Sequence, residues 1–203
     1  MLGELDIDVD IYQYSLPEMP GHVFGVGLLN RKQERPIVTL GCSAGLNPGM
    51  AIYRALVEAL AIYYLGSNGP ILAPDAYFPS LKERDYTDLD SNVALWANSD
   101  GADRKRMFMR SLIEGEVKLS ELKDFSGSDD DELEYLLQTL QPVAPSGVYF
   151  DMTPPEVSNH GWHVIRVFFP ELVQMSLPAF PYSAHPRLQA YGGIQNELPH
   201  PAP

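Results

Sequence analysis

Arg54 and Glu58, an arginine and a glutamate one helical turn apart, have residue types and a spacing that suit phosphate chemistry. A guanidinium binds phosphate oxygens through a planar fork of N–H donors, and a glutamate can hold the Mg²⁺ ion that bridges phosphates. The same spacing occurs in ordinary surface ion pairs, which stabilise a helix by roughly 0.3 kcal/mol. Both interpretations place the two side chains on one face of a helix.

A glycine-rich segment, residues 41–49, precedes this pair and contains the single cysteine, Cys42. Its small residues allow the backbone to turn sharply or to approach another element closely. A thiolate at Cys42 would be stabilised near the start of a helix. No histidine adjoins Cys42 in the sequence, so we interpret it as a small structural residue.

The last five residues carry a proline at every second position, namely Pro199, Pro201 and Pro203. Proline fixes φ and removes a backbone donor, so residues 195–203 are predicted to form a stiff, extended tail. The tail ends in a carboxylate, and one interpretation is a rigid tip that inserts into a site. The simpler alternative is a surface tail of biased composition.

Charge and composition exclude several classes of function. The 203 residues are 45% hydrophobic and 20% charged, and their formal net charge is −13. A general binder of nucleic acid or of anionic membranes needs a basic face, so neither partner is expected. A single cysteine forms no intrachain disulfide, and no run of about 18 apolar residues predicts a membrane span, so a cytoplasmic protein is expected.

Hydrophobic periodicity predicts the elements that position these residues. Residues 5–11 alternate between apolar side chains and aspartates, which predicts a half-buried strand with its acids in solvent. Asn47 and Pro48 predict the start of a helix over residues 48–65 that ends at Gly66. The predicted inward stripe of this helix consists of Ile52, Ala55, Leu56, Ala59, Leu60 and Tyr63.

The second half of the chain predicts further helices and a closing strand pair. Residues 103–114 predict an amphipathic helix, residues 123–130 a mobile polar linker, and residues 131–140 another helix. The inward residues of the first of these helices are predicted to be Met107, Phe108, Leu112 and Ile113. Residues 147–169 read as strand, short helix and strand, a βαβ-like unit. The alternation predicts an α/β or α+β domain, with a mixed sheet packed against helices.

Three groups of residues occur in an order that matches a known family. The first is the glycine-rich segment 41–45, then Asn47-Pro48, then the pattern Ala-x-x-Arg-Ala-x-x-Glu-Ala over residues 51–59. The second comprises Asp151-Met152-Thr153, Gly161, Val164-Ile165-Arg166-Val167 and Pro170. The third is the Pro-x-Pro-x-Pro terminus. Together they resemble the C-terminal part of YcaO-domain proteins of the azoline-forming cyclodehydratase type.

The resemblance implies an enzyme that uses ATP and Mg²⁺ to modify ribosomally made peptides, as in bacteriocin biosynthesis. In such enzymes a Cys, Ser or Thr side chain of the precursor peptide attacks the preceding amide carbonyl, and phosphorylation activates the amide oxygen. Loss of phosphate leaves a thiazoline or an oxazoline. By this resemblance Arg54 contacts phosphate, Glu58 holds Mg²⁺, and Pro199, Pro201 and Pro203 help to order the active site.

Two features of the family are missing from this sequence. The N-terminal half of the domain, with its Ser/Glu segment and Glu-x-x-Glu-Arg helix, has no counterpart, and Ala61 and Tyr63 replace polar residues of the family's helix. Residues 1–203 are therefore expected to form one partial YcaO-like domain. A complementary YcaO half, a cyclodehydratase partner protein or a second copy would complete it.

Two other hypotheses stay open. One is a non-catalytic YcaO remnant that binds a precursor peptide or a partner enzyme. The other is an acidic α/β domain whose likeness to the family is accidental.

Overall fold

Two separate antiparallel sheets organise the part of the chain that the structure describes. The structure, a computed structural model, describes residues 6–32, 34–72, 74–77, 88–111, 113–176, 182–194 and 200–201. The strands Ile7–Gln13 (β1), His22–Asn30 (β2) and Val38–Gly45 (β3) form the first sheet, in the order β1-β2-β3. The strands Val148–Asp151 (β4) and Ile165–Phe168 (β5) form the second sheet.

The helices differ greatly in length. The first, Pro48–Leu72 (α1), has 25 residues and follows β3 directly. Later helices are Pro74–Tyr77 (α2), Leu89–Ala97 (α3), Ala102–Ser111 (α4), Asp129–Leu140 (α5), Pro155–Ser158 (α6) and Pro186–Ala190 (α7). A 3₁₀ turn, Leu119–Glu121, lies between α4 and α5.

The core lies on both faces of the first sheet. Because side chains alternate along a strand, Val26 and Leu28 of β2 face α1, where they pack against Ala55 and Ala59. Leu29 of β2 faces the opposite side. It belongs to a cluster with residues from β1, β3, α3 and α4, namely Tyr12, Val38, Leu40, Trp96 and Met109. The first sheet is therefore the centre of a three-layer arrangement.

A glycine sets the distance between α1 and the sheet. A Cβ atom on Gly41 of β3 would lie 2.2 Å from the carbonyl oxygen of Ala55 and 2.2 Å from the backbone nitrogen of Ala59. No side chain fits at that distance, so the backbone of α1 rests directly on β3. The close approach predicted for the glycine-rich segment is confirmed at Gly41, but residues 41–45 continue the strand and do not form a turn.

Helix α1 starts where the sequence predicts and ends later. Asn47 caps it, because its Oδ1 accepts a hydrogen bond of 2.6 Å from the Met50 N–H. The predicted end at Gly66 is wrong, since the helix continues to Leu72. The absence of a side chain at Gly66 allows close packing, because a Cβ there would lie 3.0 Å from Pro36 and 3.2 Å from Ala97.

The apolar face of β1 is exposed, which differs from the prediction for residues 5–11. Ile7 is buried, but Val9 is 41% and Ile11 55% exposed. Helix α1 packs mainly on β2 and β3, and Ile7 is the residue of β1 that joins the cluster beneath it. The neighbouring aspartates form ion pairs, with Asp6 2.8 Å from Lys32 and Asp8 3.1 Å from Arg31.

Helix α4 also presents a different face from the predicted one. Its buried residues are Ala102, Lys105 and Met109, and Phe108 packs against the same core. Met107 and Ile113 are exposed, and Leu112 lies outside the described residues. The inward positions follow the spacing i, i+3, i+7 from Ala102, which puts Met107 on the outer side.

The closing segment is an antiparallel pair and not a βαβ unit. Strands β4 and β5 pair from Val148 opposite Phe168 to Asp151 opposite Ile165, with α6 between them. Thr153 braces the pair, because its hydroxyl donates to Asp151 Oδ1 at 2.5 Å and accepts the Val164 N–H at 2.9 Å. The predicted α+β class is confirmed, and every described strand pairing is antiparallel.

A carboxylate near the start of the chain holds the C-terminal segment. Glu18, between β1 and β2, accepts a 2.6 Å hydrogen bond from Arg187 at the start of α7. The Tyr191 hydroxyl donates to the same carboxylate oxygen, and the Arg187 guanidinium lies 5.7 Å from the centre of the Tyr191 ring. These three side chains fix α7 against the β1–β2 connection. In the described parts of the chain, no helix has both the length and the hydropathy that crossing a membrane requires.

Substitution of Gly41 by alanine is expected to destabilise the fold strongly. The new Cβ would overlap backbone atoms that cannot move aside, so the free energy of unfolding should fall by about 3 kcal/mol or more. Urea denaturation measures this. The matched control is Gly45→Ala on the same strand, where the nearest atoms lie 3.8 Å from the added Cβ. Equal stability of the two variants would contradict the assigned contact.

Candidate functional site

Glu58 lies against the outer edge of β3. Its Oε2 accepts a 2.5 Å hydrogen bond from the backbone N–H of Cys42. This contact exists because α1 sits directly on Gly41, one residue before Cys42. β3 is an edge strand of the first sheet, so the Cys42 N–H would otherwise be without a partner in the sheet. The second oxygen of Glu58, Oε1, has no protein hydrogen-bond partner among the described residues.

Arg54 is exposed one turn before Glu58 on the same helix. The described residues provide no ion pair to its guanidinium, and no Arg54–Glu58 pair forms within 4.0 Å. The simpler interpretation of the sequence, an i,i+4 surface ion pair, is therefore not what the structure contains. The guanidinium keeps its fork of N–H donors available, and one glutamate oxygen remains available beside it.

The surroundings of Cys42 make it a poor nucleophile. Burial, together with the negative charge of Glu58, raises the pKa of the Cys42 thiol to about 11. At neutral pH the side chain is a thiol and not the reactive thiolate. The structure thus supports its interpretation as a small structural residue on β3.

The proline-rich tail is described only in part. Pro199 and Pro203 lie outside the described residues, whereas His200 and Pro201 are described. The His200 carbonyl accepts a 3.3 Å hydrogen bond from Asn92 of α3, and its ring Nε2 lies 3.4 Å from the Ser176 carbonyl oxygen. The described part of the tail therefore contacts α3, and its described hydrogen bonds do not reach Arg54 or Glu58.

Metal-ligating side chains are sparse. Within the described ranges no group of three or more His, Cys, Asp or Glu residues could hold a metal ion. Glu58 is the acidic side chain beside Arg54. One carboxylate suffices for Mg²⁺ only when phosphate oxygens and water supply the remaining ligands. These residues fit one side of a metal–nucleotide site.

Sequence analysis missed an exposed apolar surface on α1. Six apolar residues recur along the helix at spacings of three and four in turn. Ser67 occupies one position of this series and is its polar member. They are Met50, Tyr53, Val57, Leu60, Tyr64 and Ile71, and all are exposed, so the inward position predicted for Leu60 is wrong. We call them the α1 outer face. Spacing of three and four is typical of a helix that packs along another helix, so the signal was present in the sequence.

Comparison with protein families decides the affiliation of the chain. The family model described as YcaO cyclodehydratase, ATP- and Mg²⁺-binding, matches residues 2–173. The chain belongs to the YcaO family. Arg54 and Glu58 both lie inside the matched region, as do β4 and β5. No match was found among curated proteins.

Solved structures of heterocyclases and of a microcin synthetase complex share this fold. A heterocyclase in complex with substrate and cofactor superposes with a TM-score of 0.63 at 15% identity, over 98% of this chain and 25% of that one. The heterocyclase TruD gives 0.55 at 15% identity, over 98% and 24%. The E. coli microcin synthetase McbBCD complex gives 0.53 at 18% identity, over 83% and 42%. This YcaO chain thus spans 24% to 42% of their lengths.

The contact between Glu58 and Cys42 predicts how the thiol responds to pH. The rate of alkylation by iodoacetamide should rise with a midpoint near pH 11, because the thiolate forms only there. In Glu58→Gln the neutral amide no longer opposes the thiolate, so the midpoint should move to lower pH. Mass spectrometry of the alkylated protein measures both rates. The control is Glu116→Gln, a change at an exposed residue that should leave the midpoint unchanged.

Proposed function

We propose that this YcaO chain is one part of an ATP-dependent peptide cyclodehydratase and that another polypeptide completes its nucleotide site. The observation that carries the proposal is the pair on α1: Arg54 has no ion pair among the described residues, and Glu58 has one free carboxylate oxygen. Both lie at the family's helix motif. An arginine and a single glutamate provide only part of the charge that Mg-ATP needs.

Each residue has a distinct role in this proposal. When bound, Mg-ATP supplies the phosphoryl group that activates a peptide-bond oxygen in the precursor peptide. The Arg54 guanidinium binds phosphate oxygens, and Glu58 Oε1 holds the metal while Oε2 stays on the Cys42 N–H. That hydrogen bond fixes the carboxylate, so little side-chain entropy is lost when the metal binds. Pro199, Pro201 and Pro203 would order the completed site from the C-terminal end.

Exposed apolar surfaces support completion by another polypeptide. The α1 outer face is one of them. The other is the β4–β5 pair, whose strand residues are all exposed and include Tyr149, Phe150 and Val167. A two-stranded sheet alone is marginally stable, and a large exposed apolar patch marks an interaction site. A complementary YcaO half, a partner cyclodehydratase protein or a second copy of this chain would cover these surfaces.

The alternative function is a non-catalytic YcaO module that binds a precursor peptide or a partner enzyme. This alternative is supported by the hydrogen bond that Glu58 accepts from the Cys42 N–H of β3, because that structural role needs no metal. We place either function in the cytoplasm, because the chain has one cysteine and no described helix that could cross a membrane.

Calorimetric titration of Mg-ATP distinguishes the two functions. The chain alone should bind Mg-ATP weakly or not at all, and binding should appear when proteins encoded beside it are added. The chain mixed with an unrelated acidic protein is the control. Absence of binding with every neighbouring protein would favour the non-catalytic module.

Substitution of the pair tests the catalytic role directly. In the completed assembly, Arg54→Ala and Glu58→Ala should each reduce peptide-dependent ATP hydrolysis and azoline formation by about 10²-fold or more, because each removes charge that stabilises the transferring phosphoryl group. Deletion of residues 199–203 should have a similar effect. The control Lys118→Ala removes an exposed cation elsewhere and should leave the rate unchanged. Full activity of both pair variants would refute the proposed roles.

A charged residue on the α1 outer face should prevent the partner polypeptide from completing the nucleotide site. Val57 is 48% exposed, so Val57→Glu should leave the isolated chain folded, and the buried charge should weaken assembly with the partner at least tenfold. Analytical ultracentrifugation of the mixture measures this. The matched control is Val117→Glu, where Val117 is 59% exposed and outside the regular elements. Assembly unaffected by Val57→Glu would place the partner elsewhere.

A further inference from the structure

A cavity of about 510 Å³ lies where β1 ends, β2 begins and β3 meets α1. We call it the Leu46 cavity. Its walls come from the β1–β2 connection, from the segment before α5 and from α5 itself. Their lining residues include Met19, His22, Leu46, Lys123, Phe125 and Tyr135. A volume of this size lies in the range of pockets that bind small molecules.

Three hydrogen bonds build this cavity by fixing one short segment. The Lys123 carbonyl oxygen lies 2.8 Å from Nε2 of His22, and Asp124 accepts a 2.8 Å hydrogen bond from Asn47. The Phe125 N–H donates to the Leu46 carbonyl oxygen at 3.3 Å. Three consecutive residues are thus tied to the ends of β2, β3 and the cap of α1. The predicted mobility of residues 123–130 stays a prediction, but the start of that segment forms a wall.

The lining of the Leu46 cavity combines apolar and polar groups. Leu46 and Phe125 contribute apolar groups, and the rings of Phe125 and Tyr135 lie with their centroids 5.3 Å apart. Among the lining residues, Lys123 Nζ and the Tyr135 hydroxyl have no protein partner within the described part of the chain. Gln13 donates through Nε2 to Ser15 and keeps its amide oxygen available. The lining therefore offers both donors and an acceptor beside apolar surface.

This chemistry favours a peptide over a nucleotide. A phosphate at the start of α1 would meet the Asp124 carboxylate, which already lies there on Asn47. The net charge of −13 adds to that repulsion. A peptide segment presents backbone N–H and C=O groups to the polar lining groups and one large side chain to the apolar ones. An aromatic side chain suits the Phe125–Tyr135 pair, since offset rings attract one another.

We propose that the Leu46 cavity is a docking subsite for one aromatic residue of the peptide substrate, separate from Arg54 and Glu58. The inference rests on the proposed function only in identifying the occupant as the enzyme's own substrate. The subsite holds the peptide at the N-terminal end of α1 while chemistry occurs along the helix. Residues 123–125 and Tyr135 of α5 would thereby contact the substrate peptide.

Nuclear magnetic resonance of the full 203-residue chain tests the subsite without nucleotide or partner. The probes are the pentapeptides Ala-Ala-Trp-Ala-Ala and Ala-Ala-Ala-Ala-Ala, each with blocked ends, and Mg-ATP. The tryptophan peptide should shift the backbone amide signals of Leu46, Phe125 and Tyr135, and the other two probes should not. Equal shifts from the alanine peptide, or shifts of these amides by Mg-ATP, would overturn the proposal.

Variants distinguish peptide binding in the Leu46 cavity from binding elsewhere on the protein surface. Tyr135→Ala should weaken binding of the tryptophan peptide about tenfold because it removes one aromatic contact. Met19→Trp should abolish binding by filling the cavity, and it provides an independent test if Tyr135→Ala fails to fold. The control Leu137→Ala changes an exposed residue of the same helix outside the cavity and should bind normally. Unchanged binding in a folded cavity variant refutes the subsite.

Failure of the subsite and failure of the proposed function are distinguishable. If the subsite alone is wrong, the completed assembly still hydrolyses ATP in the presence of precursor peptide, and Met19→Trp leaves the Michaelis constant for that peptide unchanged. If the proposed function alone is wrong, no assembly hydrolyses ATP, but the tryptophan peptide still shifts the amide signals of the cavity.

Discussion

The contact between the backbone of α1 and Gly41 of β3 determines much of what the rest of the molecule can do. Small residues on both elements permit it, with Gly41 on the strand and Ala55 and Ala59 on the helix. Since the helix cannot slide or rise without breaking this contact, Glu58 is held against the Cys42 N–H. Because of the same contact, the face of α1 that carries Arg54 is exposed to solvent. A backbone packing constraint thus places the two residues of the candidate site.

The two sheets differ in how completely they are packed. The first has a core on each face, built by α1 on one side and by α3 and α4 on the other. The second sheet exposes the side chains of both its strands. The α1 outer face resembles the second sheet in this respect. The molecule therefore combines a packed core with exposed surfaces of apolar composition, and it spans only part of the solved heterocyclase and synthetase chains that it resembles.

Features governed by neighbouring residues could be predicted from the sequence, and features governed by distant contacts could not. Asn47 caps α1 through a bond to Met50, three residues away, so the start of the helix was predictable. The end was not, because Gly66 packs against Pro36 and Ala97. The exposed face of β1 depends likewise on where α1 crosses the sheet. Family motifs placed Arg54 and Glu58, but the bond from Glu58 to Cys42 depends on tertiary packing.

The β4–β5 pair has a consequence for how the chain must be produced in a cell. Within the described residues, its short strands have unpaired outer edges, and their apolar side chains lie on both faces. Open strand edges with apolar faces are templates for aggregation. They promote aggregation most strongly during synthesis and folding of the chain. If a partner polypeptide covers this strand pair as proposed, copies of the chain in excess of that partner would aggregate or be degraded. Synthesis of the chain and such a partner in matched amounts, from neighbouring genes or from one message, would keep the β4–β5 pair covered.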